Sequence, residues 1–384
     1  AYFLRRLGHE VTVYEAMPEP GGMLRYGIPS YRLPVKELKR DIARIEKLGV
    51  KLVCKKPLGK SLTLDSLRKK FNAVFLAVGA WSDMELGVQG EKAAGVLSGI
   101  EFLRKVAEGK QGRLSGDVVV IGGGNTAIDV ARTALRLGAN SSTIAYRRTR
   151  DEMPAQAEEI VEAEEEGVVL ELLVAPAKIL TEGKGKKERA TAIELQRMKL
   201  GAFDSSGRRR PVPSAGDTVT LPATTVVRAV GQRPVTGKGF PEVGRGNRVQ
   251  ADRTTLATSL PGVFAGGDLV LGPATVVEAI GQGRRAAEAI ERYLHPDGAT
   301  RFPWWAGREL DAAFDPDGPI SRARRAKSKK ADTRKRASTF EEVERALTEK
   351  AAITEARRCL RCDYGKQVVC RNGVGAVMRK EVQS

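Results

Sequence analysis

The sequence is poor in features that mark several classes of protein. Its 384 residues include four cysteines, too few for the disulfide framework of a secreted protein, so the composition favours a reducing, cytoplasmic setting. No apolar run approaches the ~20 residues that span a bilayer. The chain also begins at Ala1 rather than at a methionine, and its first residues are already predicted to be helical. We therefore expect that a preceding segment is missing.

Charge is plentiful but unevenly distributed. The formal net charge is +18, and the stretch 322–336 alone holds nine basic residues and one acidic residue, or +8. This stretch has no aromatic side chains for base stacking. The composition predicts a solvated basic linker and no nucleic-acid partner. Contact with nucleic acid or with an acidic partner is the alternative.

The stretch 118–148 has the pattern of a complete βαβ unit. Val118–Ile121 is predicted as a short buried strand, and the three glycines at 122–124 allow a tight turn that can approach a pyrophosphate. Ala127 lets the following helix lie close to the sheet, and the helix ends near Gly138. The pattern predicts a nucleotide-binding site, and the alternative is a purely structural glycine turn.

The end of the second strand indicates which nucleotide binds. About 20 residues after the glycine turn, an NAD-binding unit places an acidic residue on the ribose 2′-hydroxyl, but this chain has two arginines there. Guanidinium groups can neutralise a 2′-phosphate, so the sequence predicts NADPH. The predicted cofactor-binding residues of this unit are Gly122, Gly124, Asn125, Thr126, Ala127, Arg147 and Arg148.

A second dinucleotide unit is indicated at the start of the chain. Residues 1–8 are predicted as the end of a helix, and His9–Glu15 alternates like a strand. Glu15 stands where a ribose-binding carboxylate belongs, but the glycine turn that should precede it is absent. An ordinary solvated strand end is the alternative for Glu15. The loop 20–29 is too rich in glycine for ordinary structure and too apolar for simple solvent exposure.

Four separated motifs resemble those of a known family. They are EAMPEPGGMLRYGIPSYRLP at 15–34, GGGNTAIDVARTALRLGA at 122–139, YRRTRDEMPA at 146–155 and GVFAGGDL at 262–269. In this order they resemble the glutamate synthase small (beta) subunit and its relatives, including the flavin and nicotinamide portion of dihydropyrimidine dehydrogenase. The resemblance covers about residues 1–296 and implies that this sequence is truncated at its N-terminus.

The resemblance implies an α/β fold of two doubly wound, Rossmann-like dinucleotide-binding domains, with the NADP domain inserted in the FAD domain. Hydride passes from nicotinamide to flavin N5 in such proteins, so no catalytic side chain is expected. The implied segments are 1–111 for the first part of the FAD domain, 112–235 for the NADP domain, 236–296 for the second part of the FAD domain and 297–384 for a basic linker and a helical, cysteine-containing tail.

The resemblance also implies where the flavin binds. Asp268 would bind the ribityl chain, and a helix beginning near Ala274 or Thr275 would point its positive end at the flavin N1 and O2 edge. A capped helix after a glycine turn is the alternative. Gly231 would lie near the nicotinamide, with a simple strand-to-loop glycine as the alternative. The other implied cofactor-binding residues are Glu15, Gly21, Gly22, Met23, Leu24, Gly27, Ile28, Arg32, Leu58, Gly79, Ala229, Gly267 and Val276.

Two further features exclude other chemistries. Disulfide reductases of this fold carry a CxxxxC beside the flavin, and this sequence has none. Cys54 is isolated, so we expect it to pack as a small hydrophobic residue, and glutathione-reductase-like activity is not expected. The carboxylates of 151–167 are predicted to form a solvated helical face, with paired acid–base catalysis as the alternative.

The tail contains three of the four cysteines. Cys359 and Cys362 form a CxxC, and Cys370 follows eight residues later. Such spacing suits an iron–sulfur cluster or zinc, both of which normally take four ligands. The fourth ligand would then come from a partner or from a missing segment. Reduced structural cysteines are the alternative, and the tail departs from the glutamate synthase subunit, whose cluster cysteines precede the FAD fingerprint.

The predicted function is that of an FAD-dependent NADPH oxidoreductase. It would pass reducing equivalents from NADPH through the flavin to an iron–sulfur protein or to a large catalytic subunit. The enzyme alternatives are a ferredoxin–NADP reductase and a metal-ion reductase. The non-enzyme alternative is a cofactor-less scaffold fragment, because the FAD glycine turn is absent from the sequence.

Overall fold

The computed structural model describes residues 1–59, 62–204, 207–237, 239–298, 302 and 324–358, together with the backbone of 366–371 and 374–379. The chain divides into two compact units. The first contains Ala1–Gly298 and Asp332–Val343, and the second contains Ala299–Ala331 and Glu344–Ser384. All the predicted residues for FAD and NADPH lie in the first unit.

The first unit contains both helices and strands. Its helices are α1 Tyr2–Arg6, α2 Gly22–Tyr26, α3 Val35–Lys47, α4 Leu64–Lys70, α5 Gly99–Ala107, α6 Asn125–Arg136, α7 Ala157–Glu165, α8 Asp268–Leu271, α9 Val276–Leu294 and α10 Thr333–Arg336. Its strands are β1 Thr12–Tyr14, β2 Lys51–Val53, β3 Val74–Leu76, β4 Ser82–Asp83, β5 Val96–Ser98, β6 Asp117–Ile121, β7 Ser141–Tyr146, β8 Val169–Leu172, β9 Val174–Glu182, β10 Arg189–Phe203, β11 Arg209–Pro222, β12 Thr225–Arg228, β13 Gln232–Arg233 and β14 Val263–Ala265. The second unit contributes α11 Glu349–Ala356 and an antiparallel pair, β15 Lys366–Arg371 and β16 Val374–Arg379.

The largest parallel sheet of the first unit has the strand order β5–β12–β6–β7–β8. Val118–Ile121 of β6 are at most 3% exposed. A strand that is buried on both faces needs an unbroken apolar run, which explains why this segment occupies the middle of the sheet. Helix α6 then packs its alanines and Ile128 against the same core. The predicted βαβ unit is therefore present.

This sheet extends beyond the predicted start of the NADP domain at residue 112. Strand β5 precedes that residue, yet it pairs with β12, with Val96 opposite Val226. Parallel strands need a crossover connection, and α5 provides it between β5 and β6 while it packs against α6. Residues 96–107 thus lie with the NADP-domain sheet, although the sequence placed them in the FAD segment.

An antiparallel sheet extends from the NADP domain, with the order β11–β10–β9. Ile193 pairs with Ile179 on one side and with Leu221 on the other. Ile179, Ile193 and Leu195 are at most 1% exposed and share a core with the outer face of β6 and β12. This antiparallel sheet is therefore packed onto the parallel sheet and shares its core.

The segments predicted to form the FAD domain contain two pairs of parallel strands, β1 with β2 and β3 with β14. Helix α9 packs against α1 and β14. Its N-cap, Thr275, forms a reciprocal capping box with Glu278, which defines where the helix begins. Among the described residues, no helix combines the length and apolarity needed to cross a membrane.

Candidate functional site

The glycine turn between β6 and α6 has two positions at which a side chain does not fit. Gly122 has a φ of +143°, and a Cβ there would lie 2.2 Å from the carbonyl oxygen of Ala229. A Cβ on Gly123 would lie 2.5 Å from the ring of Tyr146. The turn therefore packs directly against the residues that end β12 and β7, and only glycine allows this approach.

The first turn of α6 is accessible at Gly124. The nearest atom to a Cβ at this position would be Pro154 Cγ, at 3.9 Å. Gly124 is also the N-cap, and it has no side chain to satisfy the first N–H groups of the helix. Those N–H groups and the positive end of the helix dipole can therefore act on an anion. The residues present fit the pyrophosphate of a dinucleotide.

The side chains that follow the turn connect it to neighbouring loops. Asn125 Oδ1 accepts a hydrogen bond from the backbone N–H of Gln156 at 3.0 Å. Thr126 Oγ1 accepts one from Gln232 Nε2 at 3.2 Å. Ala127 is fully buried, which keeps α6 close to the sheet as predicted. Gln232 was not predicted from the sequence, although its place directly after Gly231 is the signal that could have identified it.

The two arginines after β7 have different environments. Arg147 is exposed, whereas Arg148 is 3% exposed. Arg148 Nη2 donates to the Asp204 carboxylate at 2.6 Å, and its Nε donates to the carbonyl oxygen of Arg209 at 2.7 Å. Because the chain itself engages the Arg148 guanidinium, Arg147 is the arginine that is presented to solvent.

An open cavity of about 590 Å³ lies beside this strand end. Its lining includes apolar surface from Met153, Pro154 and Leu200, and the basic residues Arg208 and Arg209. The backbone ties the cavity to the glycine turn, because the residue after Pro154 donates its N–H to the Gly123 carbonyl at 3.2 Å. The lining also includes the carboxylates of Asp151 and Glu152. The cavity thus combines apolar groups with charges of both signs next to the glycine turn.

The glycine-rich loop of the flavin segment forms the start of α2. Gly21 has a φ of +130°, and a Cβ there would lie 2.9 Å from Leu38 Cδ2. A Cβ on Gly27 would lie 2.1 Å from Met23 Sδ. Gly21 therefore lets the start of α2 lie close to α3. Gly27 lets the backbone after α2 lie close to the side chain of Met23. The other predicted residues of the segment, Gly22, Met23, Leu24 and Ile28, are partly exposed in the same short stretch.

Glu15 follows β1, and the carboxylate is held by a local contact. Its Oε1 accepts a hydrogen bond from the backbone N–H of Met17 at 2.8 Å. The thiol of Cys54 lies nearby, and burial together with the negative charge of Glu15 raises its pKa. A thiol with a raised pKa is a poor nucleophile. The absence of a redox role for Cys54 stays a prediction.

Arg32 is engaged by the NADP domain. Its Nη1 donates to both carboxylate oxygens of Asp129, at 2.8 and 2.7 Å, and its Nη2 donates to Glu159 Oε1 at 2.5 Å. The guanidinium group of this predicted cofactor-binding residue therefore contacts α6 and α7. Leu58 packs against the core around Leu76, close to β3 and β14.

The two points at which the chain crosses between the predicted FAD segments and the predicted NADP domain lie side by side. Strand β4 follows the first crossing at Gly79, and β13 follows the second at Gly231. These strands pair antiparallel, with Gln232 opposite Asp83. Gly231 has a φ of +134° and accepts a hydrogen bond from the N–H of Met84 at 3.1 Å. Because Ala229 also touches the Gly122 turn, the second crossing links both cofactor segments.

The strand end at β14 is ordered by hydrogen bonds around Gly267. Its N–H donates to Gln282 Oε1 at 2.5 Å, and its φ is +66°. Asp268 Oδ1 accepts from the N–H of Ala274 at 3.2 Å. Burial raises the pKa of Asp268. The first turn of α9, including Val276, is exposed. Gln282 is only 4% exposed, and the sequence did not predict a role for it. Its position between two glycines was the available signal.

The predicted metal-binding cysteines cannot be placed together. Cys359 and Cys362 lie outside the described residues, and of Cys370 only the backbone, in β15, is described.

The acidic stretch 151–167 is described. It contains α7 and the residue after it, Glu166. Glu162 and Glu166 pair with the buried Arg132, whereas Glu158, Glu164 and Glu165 are exposed. The predicted solvated face is therefore correct for only part of this helix.

The fold and the site define the class of protein. A parallel sheet with a glycine turn and an uncapped helix N-terminus lies beside a second glycine-rich segment, and two adjacent crossings connect them. This combination is typical of an α/β protein with two dinucleotide-binding segments. Among the described residues, no cysteine pair accompanies either segment.

Comparison with known proteins identifies the family. The model of the pyridine nucleotide-disulphide oxidoreductase family matches residues 1–283, and the chain belongs to this family, in the group that includes glutamate synthase small chains. One relative, a putative glutamate synthase [NADPH] small chain of Cereibacter sphaeroides, is 38% identical over 305 residues, which cover 76% of this chain and 73% of the relative. The predicted family and the predicted class, an NAD(P)H-dependent flavin oxidoreductase, are confirmed.

A second relative extends the similarity into the tail. The NADP(+)-dependent formate dehydrogenase subunit beta of Moorella thermoacetica is 44% identical over 377 residues, covering 94% of this chain. The chain spans 52% of the length of that relative. Among solved structures, FprA of Mycobacterium tuberculosis in complex with NADPH superimposes with a TM-score of 0.63 at 22% identity, covering 74% of this chain and 78% of FprA. This likeness confirms the predicted fold class.

Proposed function

We propose that this chain binds NADPH and FAD and passes reducing equivalents from the nicotinamide to a partner subunit. The observation that carries the proposal is the pairing of β4 with β13 beside the Gly122 turn. It brings the exits of both cofactor segments to one place. A single hydride transfer needs the two cofactors to meet, and the adjacent crossings provide that meeting point.

The NADPH side of the proposal is built on the glycine turn. The open N-terminus of α6 at Gly124 binds the pyrophosphate, and the exposed Arg147 neutralises the 2′-phosphate. Arg148 holds the strand end in place through Asp204. The neighbouring cavity, with Met153 and Pro154 in its wall, accommodates the adenosine end of the nucleotide.

The FAD side is built on residues from both ends of the first unit. The loop around Gly21 and Gly27 lets the backbone approach the isoalloxazine, and Asp268 holds the ribityl chain. The exposed first turn of α9 directs its dipole to the pyrimidine edge of the ring. Bound FAD supplies the hydride-accepting and electron-releasing chemistry. The protein side chains bind and orient, and none is needed to move a proton.

The acceptor is proposed from the tail and from the names of the relatives. The relatives are named as a subunit and as a small chain, and we place this chain in a similar complex in the cytoplasm. Its partner would be an iron–sulfur protein or a large catalytic subunit. Cys359, Cys362 and Cys370 are proposed to help bind a cluster or a metal ion at this electron exit.

Purification of the protein from its complete reading frame tests the proposal. We expect a yellow protein with one FAD per chain that reduces ferricyanide at least about tenfold faster with NADPH than with NADH, because only NADPH carries the phosphate that Arg147 binds. The measurements are the flavin absorbance spectrum and steady-state rates with each nucleotide. A colourless protein would refute FAD binding and favour the scaffold alternative, and equal rates would refute the NADPH assignment.

A further inference from the structure

The chain has only two histidines, and the structure brings both onto one carboxylate. His9 lies between α1 and β1, and His295 caps the C-terminus of α9. His9 Nε2 contacts Glu291 Oε2, and His295 Nδ1 lies 3.2 Å from Glu291 Oε1. The nearest donor atoms of the three side chains all lie within 4.8 Å of one another. We name this group the His–Glu–His cluster.

We propose that the His–Glu–His cluster is a zinc site that ties the first helix and strand of the chain to the end of α9. Two imidazoles and one carboxylate are ligands that Zn²⁺ prefers, and ligand atoms around a zinc ion lie about 3–4 Å apart. The ligand atoms of the cluster lie within 4.8 Å of one another, so small side-chain rotations would bring them to this spacing. Its nitrogen donors distinguish it from a calcium or magnesium site, which takes oxygen ligands.

The burial of the three side chains fits a site that can be loaded from solvent. The Glu291 side chain is 10% exposed and that of His9 is 21% exposed, whereas that of His295 is 56% exposed. Glu291 and the half-buried His9 fix two ligands, and the exposed His295 leaves room for entry of the ion. A water molecule would complete the four ligands of the ion.

The backbone around the cluster is restrained. Glu291 and His295 are one helical turn apart, and the His295 N–H donates to the Glu291 carbonyl at 2.9 Å. The His9 N–H donates to Leu4 at 3.2 Å, and Arg5 Nη1 donates to the His9 carbonyl at 3.1 Å. Because these residues are already restrained, less conformational entropy is lost when an ion binds.

The position of the cluster predicts a structural role. Sixteen residues separate Thr275 from Glu291, which is about 24 Å along a helix. The zinc ion would therefore lie at the opposite end of α9 from the proposed flavin edge. It would stabilise the packing of α1 on α9 without entering the redox reaction.

Zinc binding by the full chain, purified without a histidine tag and freed of metal, tests this assignment. We expect wild type to bind one more Zn²⁺ per chain than His295→Ala, as measured by competition with a chromophoric chelator. Loss of a direct ligand should weaken binding at this site at least about 10–100-fold. Zn²⁺ should also raise the Tm of wild type, and Mg²⁺ should not. NADPH oxidation should be the same in wild type and in His295→Ala.

The tail cysteines can bind zinc as well, so the comparison is repeated in a chain with Cys359, Cys362 and Cys370 all replaced by serine. The difference of one Zn²⁺ should persist there, and Co²⁺ should bind without a thiolate charge-transfer band. Glu10→Gln, which removes an exposed carboxylate next to His9, is the matched control and should retain the site. Equal zinc stoichiometry in wild type and His295→Ala would overturn the proposal and leave a hydrogen-bonded cluster only. Because His295 is exposed, this variant should fold even if His9→Ala does not.

Discussion

Arg147 and Arg148 are neighbours in sequence, but their side chains have different tasks. Just after β7, Arg148 lies on the buried side, where Asp204 and the Arg209 carbonyl accept hydrogen bonds from its guanidinium. Arg147 then points to the exposed side. The proposal therefore assigns nucleotide selectivity to Arg147 and the support of the strand end to Arg148.

Arg147→Ala tests this division at the residue scale. We expect kcat/KM for NADPH to fall about 10–100-fold, because a charge-assisted bond to the 2′-phosphate is lost, while kcat/KM for NADH stays nearly unchanged. Steady-state kinetics with both nucleotides provide the measurement. Arg253→Ala, which removes an exposed charge far along the chain, is the control. A similar loss for both nucleotides would contradict the role of Arg147.

At the scale of elements, α6 and α7 are joined by a buried ion network. Glu166 accepts hydrogen bonds from Arg132 Nη2 at 2.7 Å and from Arg136 Nη1 at 2.6 Å, and all three side chains are 0% exposed. Burial disfavours the charge on Glu166, but the hydrogen bonds from Arg132 and Arg136 outweigh it and lower the pKa of the carboxyl. As an ionised carboxylate, Glu166 therefore helps to hold the two helices together, beside Glu159 and Glu162, which also pair with Arg132.

Glu166→Gln should destabilise the protein by about 3–5 kcal/mol at pH 7, because it leaves two buried guanidinium groups short of negative charge. Glu164→Gln, on the same helix but 40% exposed and paired with Arg150, should cost at most about 1 kcal/mol. Urea unfolding measures both. Equal effects of the two variants would show that the buried network adds nothing specific to stability.

The same network predicts how this contribution depends on pH. The folded pKa of Glu166 is lower than its ordinary value, so its contribution is complete above the unfolded pKa of about 4.3. It is lost as the pH falls through the lower folded pKa. The stability difference between wild type and Glu166→Gln should therefore be constant from pH 7 to about pH 5 and should shrink in more acidic solution.

At the scale of the first unit, Arg32 joins the flavin segment to the NADP domain. Its partner Asp129 is buried, and burial raises the pKa of Asp129 to about 7 although Arg32 acts in the opposite direction. The positive charge of Arg32 thus stabilises the ionised form of Asp129, which burial disfavours. Tyr31, its neighbour in sequence, is fully buried and lies against the guanidinium of Arg136, with 3.8 Å from its ring centroid to Arg136 Cζ.

Arg32→Ala should lower the free energy of unfolding by about 3–5 kcal/mol at pH 8, because a buried carboxylate loses its partner. A folded pKa above the unfolded value means that stability is lost as the pH rises through the folded pKa. The deficit should therefore be smaller at pH 5, where Asp129 is protonated. Urea unfolding at both pH values measures it, and the double variant Arg32→Ala/Asp129→Asn should recover stability at pH 8. Equal deficits at the two pH values would contradict this assignment.

The sequence by itself determined the βαβ unit, its glycine turn and the predicted preference for NADPH. These features depend on residues that are close in the chain: an apolar run, three glycines and a helix with apolar periodicity. The motif order was also sufficient to identify the family, which the matching of residues 1–283 confirms.

Only the tertiary structure decided which residues meet across the chain. It separated Arg147 from Arg148, placed Arg32 on Asp129 and included β5 in the parallel sheet. It also placed Gly231 beside Met84 and His9 beside Glu291. These pairs are distant in sequence, and local pattern does not encode which surfaces pack together. Burial and strand pairing across the folded chain determine those contacts.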